Sequence, residues 1–361
     1  AALPTLPSVV TEFQLWNDPE SGGFIRAVEY ATTTHWFLRT PRWNSEYQGV
    51  VQDALNQIFN GQAAPATALR AAGEALQRIM NDNPQPVIML SSLTKQGADA
   101  TVKALHLGAV DFITKPSGTF TPDINEVAKD IVKKIRIAAL ARDKLRVTQV
   151  KVEKRIKPPK VAPAVKDKAP EKIVVIGTST GGPKALHEVI PKLPGNLPAA
   201  VLVVQHMPPG FTRSLAERIN GMSALNVKEA VDGEPVLSGT VYIAPGDYHL
   251  KVKRLGDGLG RRLVIRLTQE PLVSGHRPSV DAMIESVAQE YWSDILAVIM
   301  TGMGQDGTRG TASVKNRGGK VIAEDSSTCI VYGMPKSVVD SGYADLIVPL
   351  PQIARRIVEN V

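Results

Sequence analysis

The chain of 361 residues holds a single cysteine, Cys329. An internal disulfide is therefore excluded, and so sparse a thiol content suits a reducing compartment, so a cytoplasmic location is expected. No apolar run approaches the roughly 20 residues that cross a bilayer, which argues against membrane insertion. The opening residues, AALPTLPSVV, show neither a basic n-region nor an A-x-A cleavage pattern, so no signal peptide is expected. HExxH is missing, and no His, Cys, Asp or Glu cluster has ligand spacing; no metal and no cofactor is expected.

Aromatics are scarce at 5%, which bears on the charge. The excess of +7 is local: residues 142–172 carry 11 Lys/Arg against 4 Asp/Glu, a difference that equals the whole excess. The same window holds Pro158, Pro159, Pro163 and Pro170 and no aromatic that would stack on a base. It reads as a solvated, extended linker over 142–171 rather than a nucleic-acid surface, and no nucleic-acid partner is expected. The length predicts two domains, or three small ones.

What is present is a regular alternation after that linker. Ile173–Ile176, Ala200–Val204, Ile295–Met300, Lys320–Ala323 and Leu346–Val348 are β-branched or continuous apolar runs, as expected of strands buried on both faces. Helical patterns fall at Pro183–Lys192, Thr212–Ile219, Ser279–Tyr291, Gly310–Asn316 and Pro335–Ser341. The fold class is α/β: a doubly wound, mainly parallel sheet. Between Val236 and Gln269 short strands around Pro245-Gly246 and Asp257-Gly258 predict an edge β-hairpin region.

KIVVIGTSTGG at 172–182 joins a strand to a helix through a turn that reads G-x-S-x-G, from Gly177 to Gly181. Two readings fit it. Ser179 is a nucleophile lifted above the sheet, with helix N–H groups behind it; or the turn cradles a phosphate, although it has neither the P-loop nor the GxGxxG spacing. The next strand ends at His206, and DILAVIMTGMGQDGTRG ends in a loop with Asp306. In an open parallel sheet the carboxyl ends of strands face one crevice. A hydroxyl, an imidazole and a carboxylate there suit acyl transfer, because serine needs an adjacent base and the base needs an orienting carboxylate. The competing readings are a hydrogen-bonded surface histidine and a turn-forming aspartate. The chain order Ser, His, Asp argues against an α/β-hydrolase.

IGTSTGGPKAL, VVQHMPPGFTRSLAERIN, VYIAPGDYHL, HRPSVDAM, TGMGQDGTRG and CIVYGMPKSVV resemble, in order, the catalytic domain of the chemotaxis protein-glutamate methylesterase family, CheB, over residues 172–361. The resemblance implies a serine hydrolase that demethylates glutamate methyl esters on the cytoplasmic helices of methyl-accepting chemotaxis receptors and deamidates receptor glutamines. It implies Ser179 as nucleophile, His206 as base and Asp306 as orienting carboxylate. Thr180 would lie beside the nucleophile, and the turn at Met303 would bring a backbone N–H to the oxyanion. Arg213, His276 and Arg277 would form a basic rim for substrate, Arg213 being equally readable as a solvated helix residue. Pro278 suits the first position of a helix. The alternative function is a non-catalytic binding module on the same fold.

PVIMLSSLTKQGADATVKALHLGAVDFITKP resembles the second half of a response-regulator receiver, over 87–141. Val87–Leu90 and Val110–Thr114 would be its last strands, with helices at Gly97–Leu107 and Asn125–Ala141. Ser91 and Lys115 match the receiver's hydroxyl and lysine. No residue of 1–86 matches the phosphoacceptor or the acidic pair: Asp18 and Glu20 follow no buried strand, and Asp53 and Asp82 accompany helical patterns. The family would imply a chemotaxis histidine kinase as partner, but the missing aspartate puts phosphotransfer in doubt. Residues 1–86 are expected to form an atypical helical segment; Tyr47, Val51, Leu55, Ile58, Gly61-Gln62, Pro65 and Ala68-Leu69 resemble the tail of ABC-importer sugar-binding proteins.

Overall fold

A computed structural model of the chain describes residues 86–91, 95–114, 131–138, 168–256, 262–291 and 294–361. The helical pattern of Ser45–Met80, the acidic residues of 1–86, Lys115 and most of the linker lie outside these. Among the described residues no helix is long and apolar enough to cross a membrane.

Seven strands form one sheet: β3 (Lys172–Thr178), β4 (Ala199–Gln205), β5 (Asn226–Glu229), β6 (Thr240–Ile243), β9 (Ile295–Ile299), β10 (Lys320–Glu324) and β11 (Leu346–Val348). Their order is β11-β10-β9-β3-β4-β6-β5, and every pairing is parallel. Alternate side chains build two apolar layers. Val174, Ile176, Val201 and Val203 pack under α3 (Gly182–Val189), α4 (Phe211–Asn220) and α8 (Leu350–Glu359). Ile173, Val175, Leu202 and Val204 face α5 (Val280–Glu290), α6 (Thr308–Asn316) and α7 (Met334–Asp340). A sheet covered on both faces accounts for the near-continuous apolar runs. The order reverses between β3 and β9, so their carboxyl ends open the crevice typical of such sheets.

Two expectations change. Thr240–Ile243 is an interior parallel strand between β4 and β5, so Pro245-Gly246 ends a strand and closes no hairpin. The antiparallel hairpin is β7 (His249–Leu255) with β8 (Arg262–Thr268), a separate two-stranded sheet that lies beside α5 and does not extend the main sheet. Pro278 also precedes the helix: Ser279 is the N-cap of α5 and accepts from the Ala282 N–H.

Upstream, β1 (Ile88–Ser91), α1 (Lys95–His106) and β2 (Asp111–Thr114) form a parallel β-α-β unit, followed by helical residues 131–138. Ala98, Val102, Leu105 and Phe112 share one apolar cluster with α3 and α4. Phe112 stacks on Phe211 with ring centres 4.6 Å apart, and Ser214 Oγ donates to Asp99 Oδ1 at 2.6 Å. The unit therefore sits against the helices that flank the crevice.

Candidate active site

Ser179 follows β3 directly. Its N–H donates to the Thr301 carbonyl after β9 (3.0 Å), while its own carbonyl accepts from the Gly182 N–H (2.8 Å) at the start of α3. Gly181 turns the chain with φ +80°, a conformation L side chains rarely adopt. Gly302 lets the two strand ends approach: a Cβ there would lie 2.9 Å from Ser179 Cβ and 2.3 Å from Met334 Sδ.

His206 follows β4, its N–H held by the Thr178 carbonyl at 3.1 Å. Its Nε2 donates to Asp306 Oδ2 at 2.8 Å. Asp306 is buried and accepts three more bonds, from Ser279 Oγ (2.9 Å), Val280 N (2.8 Å) and Asp281 N (2.9 Å). Burial alone pushes this carboxyl up, but the bond to His206 and the two N–H donors outweigh it and hold it below the ordinary carboxylate range. With the proton committed to Nε2, the imidazole lone pair is on Nδ1, which is buried and has no hydrogen-bond partner among the described residues. Ser179 and His206 line one pocket of about 490 Å³; Asp306 stands behind the imidazole.

The weaker candidates divide. Thr180, Met303, His276 and Arg277 line the pocket; Arg213 lines a different one and pairs with Glu229 (3.3 Å). Arg277 is engaged by Asp247 (2.6 and 3.0 Å) and by the Gln269 and Glu270 carbonyls. The expected basic rim does not assemble, because one cation is elsewhere, one is neutralised and His276 is uncharged. The His276 ring stacks on His206 at 3.8 Å, and burial, then the His206 charge, lower its pKa to about 4 against the pull of Asp306. The N–H groups of Thr180 and Met303 make no hydrogen bond among the described residues, as an oxyanion site requires. Thr180 Oγ1 donates to Asp111 Oδ2 of the upstream unit at 2.9 Å. Ser91 ends β1 buried, donating to the Gly97 carbonyl at 3.0 Å.

Asp281 escaped the sequence reading. Its buried carboxylate accepts from the Gly307 and Gly310 N–H groups (2.9 and 2.8 Å) and from Ser274 Oγ, clasping the loop that carries Asp306. Burial pushes its carboxyl up, as does the neighbouring Asp306 charge. Its only signal in sequence is an acid in the first turn after a serine N-cap.

His187, in the last turn of α3, is also held to about 4, first by burial; its Nδ1–H meets the Pro183 carbonyl, and the ring lies 4.6 Å from that of His106. A histidine whose folded pKa is lowered from 6.5 leaves the unfolded chain binding more protons between those values. Stability is therefore expected to fall as pH drops from 6.5 towards 4 and to be level above 7. Thermal unfolding across pH 4–8 checks this, and His187→Asn should flatten the slope; an unchanged slope would contradict it.

The CheB methylesterase family model matches residues 174–357. A protein-glutamate methylesterase/protein-glutamine glutaminase of Syntrophomonas wolfei is 52% identical over 282 residues, 78% of this chain and 80% of that one. The protein of the same name from Thermotoga maritima is 49% identical over 288 residues, 80% of each chain. These alignments reach well outside the span of the family model. The crystal structure of the Thermotoga maritima CheB methylesterase catalytic domain superposes with a TM-score of 0.50 at 53% identity, covering 53% of this chain and 98% of that one.

Proposed function

The chain belongs to the CheB methylesterase family, and from that premise we propose that it hydrolyses glutamate γ-methyl esters on chemotaxis receptors, releasing methanol, and deamidates receptor glutamines. The observation that carries the reading is the Asp306–His206 bond, which leaves the imidazole lone pair on Nδ1 of a ring that lines the same pocket as Ser179.

The residues then have these roles. His206 Nδ1 takes the Ser179 proton as Oγ attacks the γ-carbonyl carbon. The oxygen gains negative charge, which the Thr180 and Met303 N–H groups are positioned to receive. Collapse expels methoxide, which takes the proton from the imidazolium and leaves as methanol. The acyl-serine is cleaved by water deprotonated at the same nitrogen, returning the receptor glutamate and the free hydroxyl. With a glutamine amide the leaving group is ammonia. His276, neutral and stacked on His206, fixes the ring plane without adding a charge that would oppose the imidazolium.

Residues 172–361 form the catalytic domain in this reading, and the β1–α1–β2 unit restrains it. Asp111 and Phe112 line the catalytic pocket, and Asp111 holds the Thr180 side chain. Mixing the purified chain with a methylated receptor cytoplasmic fragment is expected to yield methanol. A fragment of residues 172–361 should yield it faster. No methanol from either overturns the function, and equal rates overturn the restraint.

A further inference from the structure

The proposed chemistry takes its nucleophile from the end of β3 and its base from the end of β4, so the two strand ends must keep a fixed register. We infer that Gln205, the last residue of β4, is the positioning residue that holds Ser179 and His206 in that register; the inference rests on the functional reading above.

The Gln205 side chain is buried, at 2% exposure, and reaches across to β3. Its amide nitrogen donates to two carbonyls, that of Ser179 at 2.9 Å and that of His206 at 3.1 Å. Its oxygen accepts from Thr178 Oγ1 at 2.7 Å. Both carbonyls only accept and the hydroxyl has a proton to give, so the chemistry dictates which way the amide points. Two hydrogens of one planar group thus bind the backbones of nucleophile and base, and the third contact ties the group to the residue before the nucleophile. The space for it comes from Gly182, where a Cβ would lie 2.0 Å from Gln205 Oε1 and 2.7 Å from Thr178 Cβ. Gln205 touches no reacting atom; it acts through the two residues it holds.

A methionine has nearly the same length and volume but donates nothing. The Ser179 carbonyl would keep the Gly182 N–H, so the turn retains a partner. What is lost is the shared tie, and a misplacement near 1 Å costs about 10²-fold in rate. In the full-length chain, Gln205→Met is expected to lower kcat for methanol release by ~10- to 100-fold, with KM within about twofold and a cooperative melt retained. Labelling of Ser179 by a fluorophosphonate should slow by a similar factor. Gln205→Glu supplies a signature that general loosening would not: a carboxylate repels both carbonyls, whereas a neutral carboxyl donates one hydrogen. Its activity relative to the unsubstituted chain should rise as pH falls from 7 towards 5. Thr178→Val, which removes the donor shared by the amide oxygen (2.7 Å) and the Val204 carbonyl (3.3 Å) but leaves both amide hydrogens in place, should show a smaller loss in kcat and reads the tie if Gln205→Met does not fold. Folded Gln205→Met with kcat and labelling within threefold of the unsubstituted chain would overturn the inference, as would a flat pH ratio for Gln205→Glu or an unchanged kcat in Thr178→Val. If the unsubstituted chain labels at Ser179 but yields no methanol, the functional reading falls and the labelling rates alone decide the role of Gln205.

Discussion

Ser179→Ala is expected to remove nearly all methanol release, a loss on the order of 10⁴-fold or more. The factor is large because the remaining groups have nothing to activate. His206 still carries its lone pair on Nδ1 and Asp306 still holds Nε2, but attack then falls to water, which has no covalent route and no fixed place. For the same reason Ser179→Ala combined with His206→Ala should be no worse than Ser179→Ala alone, since residues that act as one unit do not lose activity additively. The serine is short, lies at a turn and packs against Gly302, so the alanine variant should melt within a few degrees of the parent. Single-turnover assays on a methylated receptor fragment would measure all of this. Strictly additive losses, or full activity in Ser179→Ala, would refute the assignment of Ser179.

Much of the fold was readable because parallel strands covered on both faces have an unambiguous signature. Ile173–Ile176 and Ala200–Val204 were both placed correctly and each proved one or two residues longer at its ends. Thr240–Ile243 misled because a buried run of four beside Pro245-Gly246 looks the same whether it closes a hairpin or crosses back into a sheet; the crossover partner is far away in sequence. The crevice was legible in part. Strand-end positions of Ser179, His206 and Asp306 follow from topology, which periodicity reveals. Arg213 could not be placed that way, because its position on α4 does not say which side of the helix meets the pocket, and Glu229 on the edge strand takes it. Gln205 and Asp281 were invisible for another reason. Their roles lie in hydrogen bonds to backbone groups, and a glutamine at a strand end or an acid in a first helical turn has ordinary explanations.

Asp306→Asn is expected to cost somewhat less activity than loss of the serine, about 10²- to 10⁴-fold in kcat, and to destabilise the fold as well. Each carboxylate oxygen accepts two bonds: Oδ1 from Ser279 Oγ and Asp281 N, Oδ2 from His206 Nε2 and Val280 N. An asparagine has one acceptor and one donor, and a backbone N–H waits on either side. Neither orientation satisfies the site. With the NH₂ towards His206, the ring must place its proton on Nδ1, and the base is gone; with the oxygen there, the NH₂ faces Ser279 and the Asp281 N–H. Leaving a buried N–H donor opposed by another donor in this way costs about 1–3 kcal/mol. The pH dependence follows in sign. Because the folded carboxyl is held below its ordinary range, its contribution is present above the unfolded pKa and is lost as pH falls through the folded value, so the asparagine variant should lose less stability than the parent on going to acid. Denaturant unfolding at pH 7 and at pH about 2.5, below the ordinary aspartate value of 3.8, beside kcat at pH 7, measures both effects. An Asp306→Asn chain with more than a tenth of the parent's kcat, or one as stable as the parent at pH 7, would show that the carboxylate neither orients His206 nor anchors the loop.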